Sequence, residues 1–198
     1  MEADFFTRHP RMKDVSGFIL FVALVMLGTL FINTFLFRSF NVVGPSMENT
    51  LHTGNRLIVN RIPVAIAQLK NQSYTPKRGE VIVFKNPRYV AGAADMNLVK
   101  RVIAFAGERV VVKDGVLTVY NNEHPEGFHP DDTTKGPGSP TSGDVDVTVP
   151  DQEIFVAGDH REGNNSLDSR NGLGTVPLYD VIGPVALRIW PLTKITTL

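Results

Sequence analysis

The sequence predicts a mainly β fold, an antiparallel sandwich or barrel-like domain behind one N-terminal transmembrane helix. Three observations predict it. Val15 to Phe37 runs for 23 residues without a charged side chain. Short apolar, β-branched runs follow, most of them separated by turn residues such as "HTG", "KRG", "AGE" and "KDG". No later stretch reads as a soluble helix longer than a turn or two.

The first element is "VSGFILFVALVMLGTLFINTFLF". At about 1.5 Å per helical residue it crosses a hydrocarbon layer of roughly 30 Å. A soluble core helix would carry a polar face, and here only Ser16, Thr29, Asn33 and Thr34 are scattered along it. A cleaved leader would be shorter and end in small residues, whereas "FLFRSF" follows. The segment therefore reads as a retained anchor in the lipid bilayer. Arg8, Arg11 and Lys13 precede it and Arg38 alone follows closely, which favours a cytoplasmic N-terminus. The expected organisation is a tail over residues 1–14, an anchor over 15–37 and an extracytoplasmic domain over 38–198 of a single-pass protein of the cytoplasmic membrane.

Next come the strands: "SFNVV", "RLIVN", "EVIVF", "LVKRVIAFA", "ERVVVK", "VLTVY", "VDVTV", "EIFVA" and "VIGPVALRI". In "VVVKDGVLTVY", Asp114-Gly115 supplies the positive φ angles of a two-residue hairpin turn. Two stretches break the pattern. Arg61 to Lys77 is a longer connection of mixed character. Residues 121–144, rich in Pro, Gly, Ser and Asp, read as a long surface loop or partly disordered insertion. Its His124, His129, Asp131 and Asp132 match no defined metal-site spacing and read as solvated. No metal and no cofactor are expected.

Composition narrows the chemistry. Twenty basic and twenty acidic residues give no global charge for a nucleic acid partner. The absence of cysteine excludes disulfides, thiolate metal sites and cysteine nucleophiles. A serine nucleophile needs a base, and Ser46, in "GPSMENTL" just beyond the anchor, is the serine in question. Of the five histidines, His160 in "AGDHREGNNSLDSR" is the one set among ordered-looking residues, yet its spacing does not select it. A second base is Lys100 in "LVKRVIAFAGE". With strand alternation, Lys100 and Arg101 face opposite ways, so one of them points toward an interior or a cleft. Desolvation there lowers a lysine pKa; a fall to about 8 corresponds to roughly 3 to 4 kcal/mol. A lysine at a strand edge is ordinarily just solvated, so residue type alone leaves the base open.

Four segments in order, "GPSMENTL", "RGEVIVF", "LVKRVIAFAGE" and "AGDHREGNNSLDSR", resemble the sequence boxes of bacterial type I signal peptidases. Those are membrane-anchored serine proteases with a Ser/Lys dyad that remove signal peptides from exported proteins. The resemblance runs from the anchor to about Ile189. It implies Ser46 as nucleophile and Lys100 as general base. It further implies Ser166 as a lysine-orienting hydroxyl and Asp168 with Arg170 as a supporting ion pair, with Arg101 and Asp159 beside them. Val43, Gly44 and Met47 fall where substrate binding or the oxyanion hole is expected.

Three departures stand out. Asn49 replaces a proline usual in the family. Four residues, Glu162 to Asn165, separate Arg161 from Ser166 where two are usual, and His160 takes a usual Asn position. Gly44 stands where some members carry a hydroxyl that helps the oxyanion hole, which leaves the Ser46 N–H as one donor and the second undetermined.

Ser46 lies nine residues past Phe37, a reach of at most about 30 Å. A nucleophile so tethered works at the bilayer surface, where a membrane-held signal sequence ends. The implied partners are signal-peptide-bearing preproteins, cut after small-x-small sequences, with association to the secretion machinery. "FNVV" beside Ser46 reads equally as an edge strand for an extended substrate or as a core strand. Two other classes remain: an anchored β-domain that assembles exported proteins without catalysis, and a repressor-type self-cleaving Ser/Lys protein, which would need a DNA-binding region that the N-terminus lacks.

Overall fold

The structure, a computed structural model, describes residues 10–93, 95–134 and 136–198. Most of the expected N-terminal tail, with Arg8 and His9, lies outside the described residues. Helix α1 spans Pro10–Phe31 and runs on through a π-helical turn, Ile32–Leu36. Asp14–Leu36 is the one segment among the described residues long and apolar enough to cross a membrane. It is not a core helix: Phe18, Phe21, Leu24 and Leu27 all project away from the protein.

Behind it the chain is β. The strands are β1 (Phe37–Asn41), β2 (Arg56–Asn60), β3 (Val81–Lys85), β4 (Asn97–Phe105), β5 (Arg109–Lys113), β6 (Val116–Tyr120), β7 (Val145–Thr148), β8 (Glu153–Ala157), β9 (Val176–Pro177), β10 (Val181–Trp190) and β11 (Thr196–Thr197). A curled antiparallel sheet takes the order β1-β2-β10-β3-β4-β8-β9, with β11 on β10. A smaller sheet is ordered β6-β5-β7. The runs of the sequence analysis therefore become strands of a half-barrel. Its β5–β6 hairpin has Asp114 at φ 50° and Gly115 at φ 81°, as the turn chemistry requires.

The curl follows from which faces are apolar. In β3, Val81 and Val83 enter one core cluster while Ile82 and Phe84 enter a second. A continuous apolar run thus becomes a central strand buried on both faces. The first cluster, with Val42, Met47, Leu51, Leu57 and Val59, lies beneath the segment that carries Ser46.

Two connections differ from their sequence reading. Arg61–Lys77 opens with an eight-residue helix, α2 (Ile62–Leu69). Pro63 fits its first turn, where no N–H is needed. Only Val64 is buried, so no long periodic face marks the helix in the sequence. The 121–144 segment is tied down. Phe128 pairs with Val119, Gly138 N–H donates to Asp159 O at 2.9 Å, and Ser142 N–H donates to Arg161 O at 2.9 Å.

Candidate active site

Ser46 sits in the turn between β1 and β2. The turn is held by Glu48 N–H to Pro45 O (3.0 Å), Thr50 N–H to Met47 O (2.8 Å) and Leu51 N–H to Met47 O (2.7 Å). Met47 and Leu51, fully buried, pin it to the core. Met47 thus offers its side chain to packing and not to a cleft. Gly44 has φ +93°, and its N–H donates to Thr53 Oγ1 at 3.0 Å. The Ser46 carbonyl accepts the His160 N–H at 3.1 Å.

Lys100 comes from β4, opposite Ile82 of β3. Its Nζ lies 2.8 Å from Ser46 Oγ and donates to Val99 O at 2.9 Å. Burial, the largest cause, brings its pKa from 10.5 down to about 8; Asp168 and Asp159 oppose that shift, and Arg170 adds to it. The sequence expected one of the two adjacent cations to be inward. Both are buried, because the strand has structure on each face: Arg101 bonds Asp159 Oδ1 at 2.8 Å and Oδ2 at 2.5 Å, and Gly79 O at 2.6 Å. Thr50 Oγ1 donates to the same Asp159 carboxylate.

The "SLDSR" turn completes the surroundings. Asp168 accepts Arg170 Nη2 at 2.8 Å and Nε at 3.1 Å, both side chains being buried, and it also accepts the Gly158 N–H at 2.8 Å. Ser166 is buried, and its Oγ has no hydrogen-bond partner among the described residues. Arg161, also buried, is paired with Asp131 at 2.7 Å. Asp131 is therefore not a freely solvated loop residue: a fully buried guanidinium needs a counter-charge, and the loop supplies it.

Three guanidiniums and three carboxylates are thus matched one to one, Arg101–Asp159, Arg161–Asp131 and Arg170–Asp168. Lys100 has no ion-pair partner among the described residues, so the cluster balances with the amine neutral. That favours a free amine beside Ser46 Oγ. His160 does not offer the alternative base, since its Nδ1 faces Pro45 O at 3.3 Å and its Nε2 faces Asn165 at 3.2 Å.

A cleft of about 220 Å³ opens onto the pair, lined by Phe40–Val43 on one side and Asn97–Lys100 on the other. Strand β1 is at the sheet edge, with β2 as its sheet neighbour, and β8 meets β4 only from Arg101 onward. Both walls of the cleft therefore present strand edge. "FNVV" combines the two readings left open: Val42 is core, and Val43 is exposed at the cleft.

The family model for signal peptidase, peptidase S26, matches residues 14–190. This chain belongs to the signal peptidase S26 family. It is 32% identical to signal peptidase I T of Bacillus subtilis (strain 168) over 87% of this chain and 84% of that protein. It is 30% identical to signal peptidase I of Bacillus licheniformis, over 91% and 89%. Signal peptidase I of Enterococcus faecalis V583 overlays on 56% of this chain and 96% of its own, with a TM-score of 0.41 and 26% identity. The resemblance carried by the four segments is thus borne out. Signal peptidases of this family are serine peptidases, and membership implies removal of signal peptides from preproteins.

Sequence reasoning missed two residues at this candidate site. One is Asp131. The other is Gly158, where a Cβ would meet Ser46 O at 2.2 Å and Ser166 Oγ at 2.3 Å. Only a residue without a side chain lets these two segments close on each other. A lone glycine between "FVA" and "DHR" is the one local sign of it.

Proposed function

We propose that this chain removes signal peptides from exported preproteins as a membrane-anchored endopeptidase, with Ser46 as nucleophile and Lys100 as general base. The observation that carries the reading is the 2.8 Å separation of Lys100 Nζ from Ser46 Oγ. With the amine neutral, the Ser46 hydroxyl donates to its lone pair. As Oγ attacks the scissile carbonyl, its proton passes to Nζ. The resulting ammonium gives that proton to the departing amine, leaving an ester on Ser46. Water, deprotonated by Lys100, then attacks the ester and frees the acyl product and the hydroxyl.

An extended substrate adds a strand in the cleft between Phe40–Val43 and Asn97–Lys100. Alternate side chains of such a peptide face the same wall, which suits small residues at the first and third positions before the cut. Asp168 and Arg170 hold the turn that brings Ser166 alongside. Ser166 Oγ, free of other bonds, orients the amine as its proton inventory changes. Arg101 with Asp159 fixes the opposite face of β4. The Ser46 N–H, beside Val43 and Gly44, is the oxyanion donor.

The reading places residues 15–37 across the cytoplasmic membrane, with residues 1–14 cytoplasmic and 38–198 outside. The Lys and Arg excess before the span supports that orientation. Preproteins meet the enzyme in the bilayer, next to the secretion machinery that delivers them.

The test is cleavage of a preprotein by full-length protein in lipid, beside Ser46→Ala and Lys100→Met. Cutting after small-x-small by the parent, and by neither folded variant, is the expected result. Activity surviving in Lys100→Met would remove the dyad.

A further inference from the structure

Two departures in the sequence, His160 and the four-residue stretch 162–165, meet beside the Ser46 turn through a chain of hydrogen bonds. The Asn165 amide nitrogen donates to Glu162 O at 3.3 Å and lies 3.2 Å from His160 Nε2. A backbone carbonyl only accepts, so it is the NH2 end of this amide that faces the ring, with its second hydrogen on Nε2. Nε2 is then the acceptor of the imidazole, and Nδ1 carries the hydrogen. Nδ1 lies 3.3 Å from Pro45 O, another group that only accepts. Both ends of the ring therefore select one tautomer.

That hydrogen ends on a particular oxygen. The Pro45 carbonyl and the Ser46 N–H belong to one trans peptide unit, and a trans peptide points its C=O and N–H in opposite directions. A donor fixed on Pro45 O thus sets where the Ser46 N–H aims. It also polarises the amide, which strengthens the N–H as a donor in turn. The same oxygen accepts the Glu48 N–H at 3.0 Å, so both of its lone pairs are engaged. The following carbonyl, Ser46 O, accepts the His160 backbone N–H at 3.1 Å, where Gly158 lets the two segments close. His160 grips Ser46 on both sides, with its ring on the preceding peptide and its backbone on the following one.

We infer that His160 is a positioning residue, whose Nδ1–H on Pro45 O aims the Ser46 N–H at the oxyanion formed on the scissile carbonyl. The inference rests on the proposed mechanism, in which that N–H is the oxyanion donor. A donor aimed before the reaction stabilises the developing charge without reorganising. His160 takes no proton from Ser46 in this role; Lys100 remains the base.

Three substitutions separate a donor from a space-filler. An Asn amide nitrogen stands two bonds from Cβ, as Nδ1 does, whereas a Gln amide nitrogen stands three bonds away, as Nε2 does; Leu keeps bulk without a donor. The full-length parent and each variant are assayed in lipid on a peptide with a small-x-small sequence, with thermal unfolding as the check on folding. His160→Leu and His160→Gln are expected to lose about tenfold in kcat at unchanged KM, a part of the 10²- to 10³-fold that a whole oxyanion donor carries. His160→Asn is expected to recover most of that loss. Every variant should keep the apparent pKa of kcat/KM near the Lys100 value of about 8. Parental kcat in folded His160→Leu overturns the inference, and so does a rise in KM without a fall in kcat. Should the Leu variant fail to fold, Asn against Gln carries the same contrast, and equal kcat in those two overturns it. Ser46→Ala runs alongside. If it cuts as the parent does, the proposed mechanism fails and the inference falls with it. If it is inert while His160→Leu cuts at the parental rate, the inference alone fails.

Discussion

Asp131, in the Pro- and Gly-rich segment, stands 2.7 Å from the guanidinium of Arg161, whose side chain is fully buried. Removing one partner of a buried pair leaves the other uncompensated, at a typical cost of about 3 to 5 kcal/mol. Asp131 keeps some exposure, so Asp131→Asn is expected at the lower end, about 3 kcal/mol, read by chemical denaturation. Pairing Asp131→Leu with Arg161→Met should recover most of it. A loss below about 0.5 kcal/mol, ordinary for surface substitutions, would return Asp131 to the solvated loop.

The pair also marks where the sequence stopped being legible. Ser46 and Lys100 stand out locally: one follows Gly-Pro just past the anchor, and the other interrupts an apolar run. Strands were legible for the same reason, since period-two apolar runs and turn residues are local signals. Asp131 lies in "HPDDTT", where nothing nearby separates a solvated carboxylate from one that counters a buried arginine 30 residues on. Gly158 depends on Ser46, more than a hundred residues away. Helix α2 buries one residue, too few to write a periodic face.

Activity should follow the Lys100 amine. Burial lowers its pKa to about 8, and on the proposed mechanism the free amine is the reactive form. The value of kcat/KM is expected to rise with pH through an apparent pKa near that value and to level above it. A profile flat from pH 6 to 10 would exclude Lys100 as the base.

Stability carries the same linkage. In the unfolded chain Lys100 titrates near 10.5, and in the folded chain near 8. Between those values the unfolded state binds more protons, so stability rises with pH across that window, and below it the cost of the buried charge is fully present. Lys100→Met removes that cost, about 3 to 4 kcal/mol at most, less the two hydrogen bonds of Nζ. The variant is expected to be inactive, about 1 to 2 kcal/mol more stable at pH 7, and free of this slope. A parent-like slope in Lys100→Met would assign the effect to another group.

Gly158→Ala tests the closeness of two segments. Its new Cβ would fall 2.2 Å from the Ser46 carbonyl oxygen, a backbone atom that rotamer changes cannot move. Overpacking of this kind costs about 1 to 3 kcal/mol. Because the displaced atom belongs to Ser46, the proposed nucleophile, kcat is expected to fall by about 10²-fold, as misplacement near 1 Å does. Near-parental kcat in a folded Gly158→Ala would mean that the Ser46 turn tolerates the shift.

Ser166 gives the sharpest separation of stability from activity. Its hydroxyl is buried and has no hydrogen-bond partner among the described residues. An unpartnered buried hydroxyl costs about 1 to 3 kcal/mol, so Ser166→Ala should be neutral or stabilising in thermal unfolding. A hydroxyl that orients the Lys100 amine has the opposite effect on turnover: kcat should drop by at least about tenfold, the change in rate that about 1.4 kcal/mol of barrier produces. Ser166→Thr, which keeps the hydroxyl, should restore part of it if its methyl finds room. Parental kcat in Ser166→Ala, with stability unchanged or raised, would leave the hydroxyl without a role in aiming the amine.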